Sequence, residues 1–207
     1  MSWRIDLRCA GSGGQGLGLA AVVIAEVGLA AGCEVAFTQE YGPEARGGAT
    51  RADVVISDAG IANPQLGVPG ILLALAEKAW EKFAVGVPAV MSALDGGSAV
   101  AVVDSDRVEV EPGMPPVLAL PFEAVARDEL RAKVVANMLA VGAIARLMGR
   151  FPVESVNEAV AKRSPSAFLE LNTIALHRGW AMMGGLLADN ASRVDEGVSF
   201  RAGATSA

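Results

Sequence analysis

Four glycines in six residues, GSGGQG at Gly11–Gly16, separate a short apolar run from a long one, and no other feature limits the possible folds so strongly. Residues 4–10 (RIDLRCA) read as a strand, and residues 17–31 form an apolar stretch of helical length with Gly32 placed to end it. Strand, glycine turn and helix together open a parallel α/β sheet, because a strand paired in parallel needs a crossover before its neighbour. Gly11, Gly13 and Gly16 fit G-x-G-x-x-G in that context. Glycine lets the backbone turn tightly and lets phosphates approach the N–H groups at the positive end of a helix. Gly13 is the position expected nearest such phosphates, whereas a purely structural role would have the same glycines serve close helix–sheet packing.

The remaining segments extend the pattern. Strands are expected at residues 34–38, 51–57 (RADVVIS), 70–75 (GILLAL), 98–103 and 117–120, with helices at 76–83 and 122–130. Helix alternating with strand predicts a Rossmann-like, mostly parallel sheet with helices on both faces. From residue 134 the period becomes helical throughout, at 134–148 (VVANMLAVGAIARLM), 152–161 and 167–187, giving a C-terminal helical appendage. Residues 1–187 are therefore expected to form one domain, and the small, polar residues 188–207 a flexible tail.

Two loops are candidates for ligand binding. If the first bound a dinucleotide, an acidic side chain should end the second strand to hold the ribose; Glu34 begins that strand and Glu40 lies just past its end, so neither fits well. The second loop, YGPEARGGATR from Tyr41 to Arg51, sets a tyrosine, Glu44 and two arginines among three glycines. Arg46 can present a planar guanidinium to a phosphate or carboxylate, or pair with Glu44 on a solvated surface. Both loops are expected at the carboxyl edge of the sheet, where open α/β folds take their ligands.

Composition excludes several functions. A net charge of −6 argues against nucleic-acid binding through a general positive field. No run reaches the roughly 18 to 20 apolar residues of a membrane span, and residues 1–8 lack signal-peptide order, so a soluble, cytoplasmic protein is expected. The chain is 52% hydrophobic but only 19% charged, which predicts apolar surface left for subunit contacts. Cys9 and Cys33 cannot supply an iron-sulfur or zinc site alone, and Cys9 is expected to be an inert core thiol. With His177 as its one histidine the chain carries no self-contained catalytic set, so it reads as a subunit of an enzyme.

GSGGQG, QEYGPEARGGATRADVVISD at residues 39–58 and VVANMLAVGAI at residues 134–144, in this order, resemble the gamma subunit of 2-oxoacid:ferredoxin (acceptor) oxidoreductases. The likeness covers about residues 4–180, and the tail after Leu187 has no counterpart that the family requires. It implies oxidative decarboxylation of a 2-oxoacid with coenzyme A to acyl-CoA and carbon dioxide, with electrons passing to ferredoxin or another acceptor. Thiamine diphosphate with its magnesium, and the iron-sulfur clusters, would then belong to partner subunits. This chain would share in the coenzyme A site, through Gly11, Ser12, Gly13, Gly14, Gln15 and Gly16 and through Glu44, Arg46 and Arg51. The YGPEARGG form resembles the 2-oxoglutarate and branched-chain 2-oxoacid enzymes, with 2-oxoglutarate favoured and an aryl-glyoxylate enzyme still open. The rival readings are a free-standing NAD(P) oxidoreductase and a nucleotide-sensing module.

Overall fold

The first strand, β1 (Arg4–Ser12), has two buried faces because its residues alternate between two apolar layers: Leu7 and Cys9 join one core, Ala10 the other. The chain is described here by a computed structural model at residues 2–40, 48–84, 100–110 and 117–195, with side chains to residue 190. Five more strands follow: β2 (Glu34–Glu40), β3 (Ala49–Ser57), β4 (Ile71–Ala74), β5 (Val100–Asp104) and β6 (Val117–Leu120). They form one sheet in the order β2-β3-β1-β4-β5-β6. The pairs from β1 through β4 and β5 to β6 are parallel, while β3 is antiparallel to both β1 and β2. The sheet is mostly parallel as expected, with β3 its antiparallel member. Only eight residues lie between β2 and β3, too few for the crossover that parallel neighbours need, so the chain reverses and the two strands pair antiparallel.

Helices cover both faces. On one lie α1 (Leu17–Ala30), α4 (Ala136–Met148), α5 (Val153–Arg163) and α6 (Leu169–Asp195); on the other lies α2 (Glu77–Phe83). Because α1 is sandwiched between the sheet and the helical layer, its buried residues run almost all round it, from Leu17 and Ala20 to Val27 and Gly28. The expected helix at 122–130 is a short α3 (Phe122–Ala124) that widens into a π-turn at Val125–Glu129. Helix α6 runs to Asp195, past the end expected at Leu187, since residues 188–195 contain neither glycine nor proline to stop it. Residues 196–207 of the expected tail lie outside the described residues.

Two pairings stiffen this frame. Directly opposite each other on β1 and β3, Arg8 and Asp53 are buried and joined by twin 2.8 Å hydrogen bonds, with the Leu66 carbonyl accepting a further one from Arg8 at 3.2 Å. A buried pair this complete leaves little polar surface unmatched, so its desolvation cost is largely offset. Helices α4 and α6 touch backbone to backbone: a methyl on Gly142 would fall on the Leu176 carbonyl, and one on Gly179 on the Leu139 carbonyl. Exposed apolar side chains remain at Leu29, Phe37, Val134, Phe168 and Ile174, as the composition predicts.

Candidate functional site

At the end of β1 the chain turns through Ser12–Gln15, with the Gln15 N–H donating to the Ser12 carbonyl. Gly14 (φ 90°) and Gly16 (φ 71°) occupy left-handed conformations that other residues adopt only with strain. Gly13 is exposed, has no such requirement, and has nothing within 4 Å of where a methyl would sit. Gly16 precedes α1 without a side-chain cap, and the first turn of α1 holds no acidic residue. The N–H groups of Leu17, Gly18 and Leu19 have no acceptor within the helix, so a positive and unsatisfied helix end is presented.

That helix end opens on a cavity of about 620 Å³, walled by Ser12, Gly13, Gly14 and Gly16 of the loop, with Gln39, Thr50 and Arg163 opposite. Arg163, on the last turn of α5, donates through Nε to Glu26 at 3.0 Å, and its terminal nitrogen and Lys162 bond the same carboxyl. These hydrogen bonds, the Lys162 one foremost, hold the Glu26 carboxyl below the usual carboxylate range. Glu26 thereby fixes a guanidinium at the rim of the cavity. Thr50 Oγ1 donates to the Gly11 carbonyl at 3.2 Å, and a methyl on Gly18 would meet the end of the Gln39 side chain at 2.7 Å.

A second cavity of about 270 Å³ lies on the other side of Gly14, lined by Gln15, Leu75, Asp104, Arg107, Glu123 and Lys133 among others. Burial pushes the Asp104 carboxyl up to about 6, although the N–H groups of Asp106 and Glu123 donate to it at 3.2 Å. Both cavities open at the carboxyl ends of parallel strands, as an open α/β sheet requires.

The structure sorts the expected site residues. Ser12, Gly13, Gly14 and Gly16 line the larger cavity; Gln15 lines the smaller; Gly11 lies beneath the loop, against Gln15 and Leu17. Arg51 is not brought to either cavity. It points to the α2 face, where it bonds Glu40 and lies 5.8 Å over the Phe83 ring, because strand alternation sends Thr50 and Arg51 to opposite sides. Glu44 and Arg46 lie outside the described residues. Arg163, Gln39 and Thr50 are additions that the sequence reading missed. Gln39 and Thr50 bound the second loop and their parity was available, but nothing in the sequence links Arg163 to a loop about 150 residues away.

Cys9 and His177 are placed as the sequence suggests. Burial first, and then the charge of Asp53, push the Cys9 thiol up to about 12, as befits an inert core thiol. His177 is exposed on α6, its Nε2 3.0 Å from the Asn157 side-chain amide. The dinucleotide reading gains no ribose partner: β3 stands between β1 and β2, and Glu40 is paired with Arg51. Among the described residues no helix is long and apolar enough to cross a membrane.

Fold and site together define an α/β subunit with an anion-receptive cleft at a glycine loop and, among the described residues, no group of side chains able to hold a metal. Residues 6–182 match the pyruvate ferredoxin/flavodoxin oxidoreductase family, and the chain belongs to it. Its relatives include the 2-oxoglutarate synthase subunit KorC of Methanocaldococcus jannaschii, 36% identical over 86% of this chain and 92% of that one. The KorC subunit of Archaeoglobus fulgidus is 38% identical over 88% and 89%. A keto/oxoacid ferredoxin oxidoreductase gamma subunit from Geobacter sulfurreducens superposes with a TM-score of 0.72 at 36% identity, covering 87% of this chain and 99% of that one. The 2-oxoglutarate:ferredoxin oxidoreductase of Magnetococcus marinus, solved with 2-oxoglutarate, coenzyme A and succinyl-CoA, shares the fold with a TM-score of 0.74 at 23% identity; the alignment covers 88% of this chain and 31% of that one.

Proposed function

We propose that this chain is the gamma-type subunit of a 2-oxoglutarate:ferredoxin oxidoreductase, and that its glycine-loop cavity receives a phosphate-bearing part of coenzyme A. The observation that carries the site is the uncapped N-terminus of α1, free of acidic residues, facing a 620 Å³ cavity with Arg163 on its rim. The family and its KorC relatives supply the reaction, and the coenzyme A in the Magnetococcus enzyme supplies the ligand class. A phosphate there would accept from several backbone N–H groups at once, with the guanidinium adding a charge-assisted bond.

In this reading the described residues of the cavity hold and orient coenzyme A. The loop N–H groups and Arg163 would anchor the phosphates, leaving the thiol end free to reach a reaction centre on a partner subunit. Thiamine diphosphate held by a partner would supply the electron sink for decarboxylation, and iron-sulfur clusters on the partners would supply the route for the electrons. The test is purification with the partner subunits from the native source, followed by acceptor reduction with 2-oxoglutarate, pyruvate or a branched-chain 2-oxoacid, each with coenzyme A. Preferential turnover of 2-oxoglutarate is expected. A colourless homo-oligomer, or a complex that prefers pyruvate, would contradict the proposal.

A further inference from the structure

In a parallel ladder, a residue whose N–H donates to one strand neighbour accepts, through its own carbonyl, from the N–H two positions further along that neighbour. The Leu75 N–H donates to the Ala10 carbonyl at 2.9 Å, so the next rung between β1 and β4 would join the Ser12 N–H to the Leu75 carbonyl. That rung is replaced. The Ser12 N–H donates instead to Gln15 Oε1 at 2.6 Å, and Gln15 Nε2 donates to the Leu75 carbonyl at 2.8 Å. One side-chain amide stands in the gap, offering an acceptor to one strand and a donor to the other, as a peptide group would.

The insertion has two visible consequences. The amide lies across Gly11: a methyl there would fall on Gln15 Oε1 and come within 2.8 Å of Leu17, so a side chain would have to move. The strands are also held apart at the point where β1 leaves the sheet, and the smaller cavity, lined by both Gln15 and Leu75, opens at that split. On the other flank of the loop, Asn137 Nδ2 donates to the Gly16 carbonyl at 3.2 Å, fixing where α1 starts. The loop is thus clamped at both ends by side-chain amides, with Gly13 and Gly14 exposed between them.

We propose that Gln15 is a positioning residue whose carboxamide wedges β1 from β4 and so holds the glycine loop open toward its ligand. This rests on the coenzyme A reading above. Without the wedge the Ser12 to Leu75 rung can close, drawing the loop toward β4 and away from the larger cavity. In Gln15→Glu the acceptor for Ser12 survives, but a carboxylate oxygen is set against the Leu75 carbonyl, so the wedge is strained as well as weakened.

The experiment measures KM for coenzyme A and kcat of the assembled complex carrying Gln15→Ala, Gln15→Glu or Gly13→Ala, with thermal melts alongside. Both Gln15 variants should raise KM for coenzyme A about five- to twentyfold, Gln15→Glu the more, while kcat at saturation stays within about twofold. If Gly13→Ala raises KM and the Gln15 variants lower only the melting temperature, the wedge is refuted and the coenzyme A reading stands. If no variant changes KM, the coenzyme A reading fails and takes the wedge with it. Should Gln15→Glu fail to assemble, Gln15→Ala, which adds no charge, decides between these outcomes.

Discussion

Gly13→Ala separates a ligand-binding loop from a loop that only packs. The methyl would meet nothing within 4 Å, and Gly13 has no left-handed backbone to protect. Folding should therefore tolerate the change or gain about 0.4–1 kcal/mol from a stiffer unfolded chain. For a domain of this size that is a rise of at most about 4 °C in melting temperature. Binding behaves oppositely. The methyl would project at the wall of the larger cavity and keep an anion from the loop N–H groups. Losing one charge-assisted hydrogen bond costs about 1.5–3 kcal/mol, or roughly ten- to a hundredfold in affinity. Melts and coenzyme A titrations on the assembled complex should show an unchanged or higher melting temperature with a much weaker dependence on coenzyme A. Gly16→Ala is the contrast, since it combines a positive φ with a collision against Asn137 and should lower the melting temperature. A destabilised Gly13→Ala complex with unaltered affinity would refute the binding role.

Arg163→Ala should raise KM for coenzyme A about tenfold or more through loss of the rim charge, while Arg51→Ala, which faces α2, should leave it within about twofold. Steady-state kinetics on the two variants checks the pair. Asp104, with its folded value raised to about 6, favours the folded state most below its ordinary range and loses that contribution as pH rises through about 6. Melting temperature against pH should therefore slope less between pH 4 and 7 in Asp104→Asn than in the unmodified chain. Gly142→Ala should force α4 from α6 and cost about 1–3 kcal/mol, read as a lower melting temperature or failed assembly.

The strands of the sheet were legible because the apolar runs at 51–57, 70–75 and 117–120 are bounded by turn residues, and the structure places strands there. The direction of β3 followed from the length of the β2–β3 connection but was hidden by the expectation that a Rossmann-like sheet continues in parallel. The glycine loop could be located from its residues, yet the division of labour within it could not: Gly11 lies against Gln15, Gly14 and Gly16 serve the turn, and Gly13 combines open space with no left-handed requirement. Arg51 was expected at the coenzyme A site by family resemblance, and its parity on β3 sends it to the other face. Arg163 reaches the cavity through the packing of α5 on α1, a tertiary contact that local pattern does not encode.

The most direct measurement is a structure of the assembled complex with coenzyme A bound. A phosphate group is expected in the larger cavity, about 3 Å from the N–H groups of the glycine loop or the first turn of α1, with Arg163 turned toward it. Coenzyme A bound entirely on other subunits, with the Gly13–Gly18 cavity holding only solvent, would contradict the proposed role of this chain.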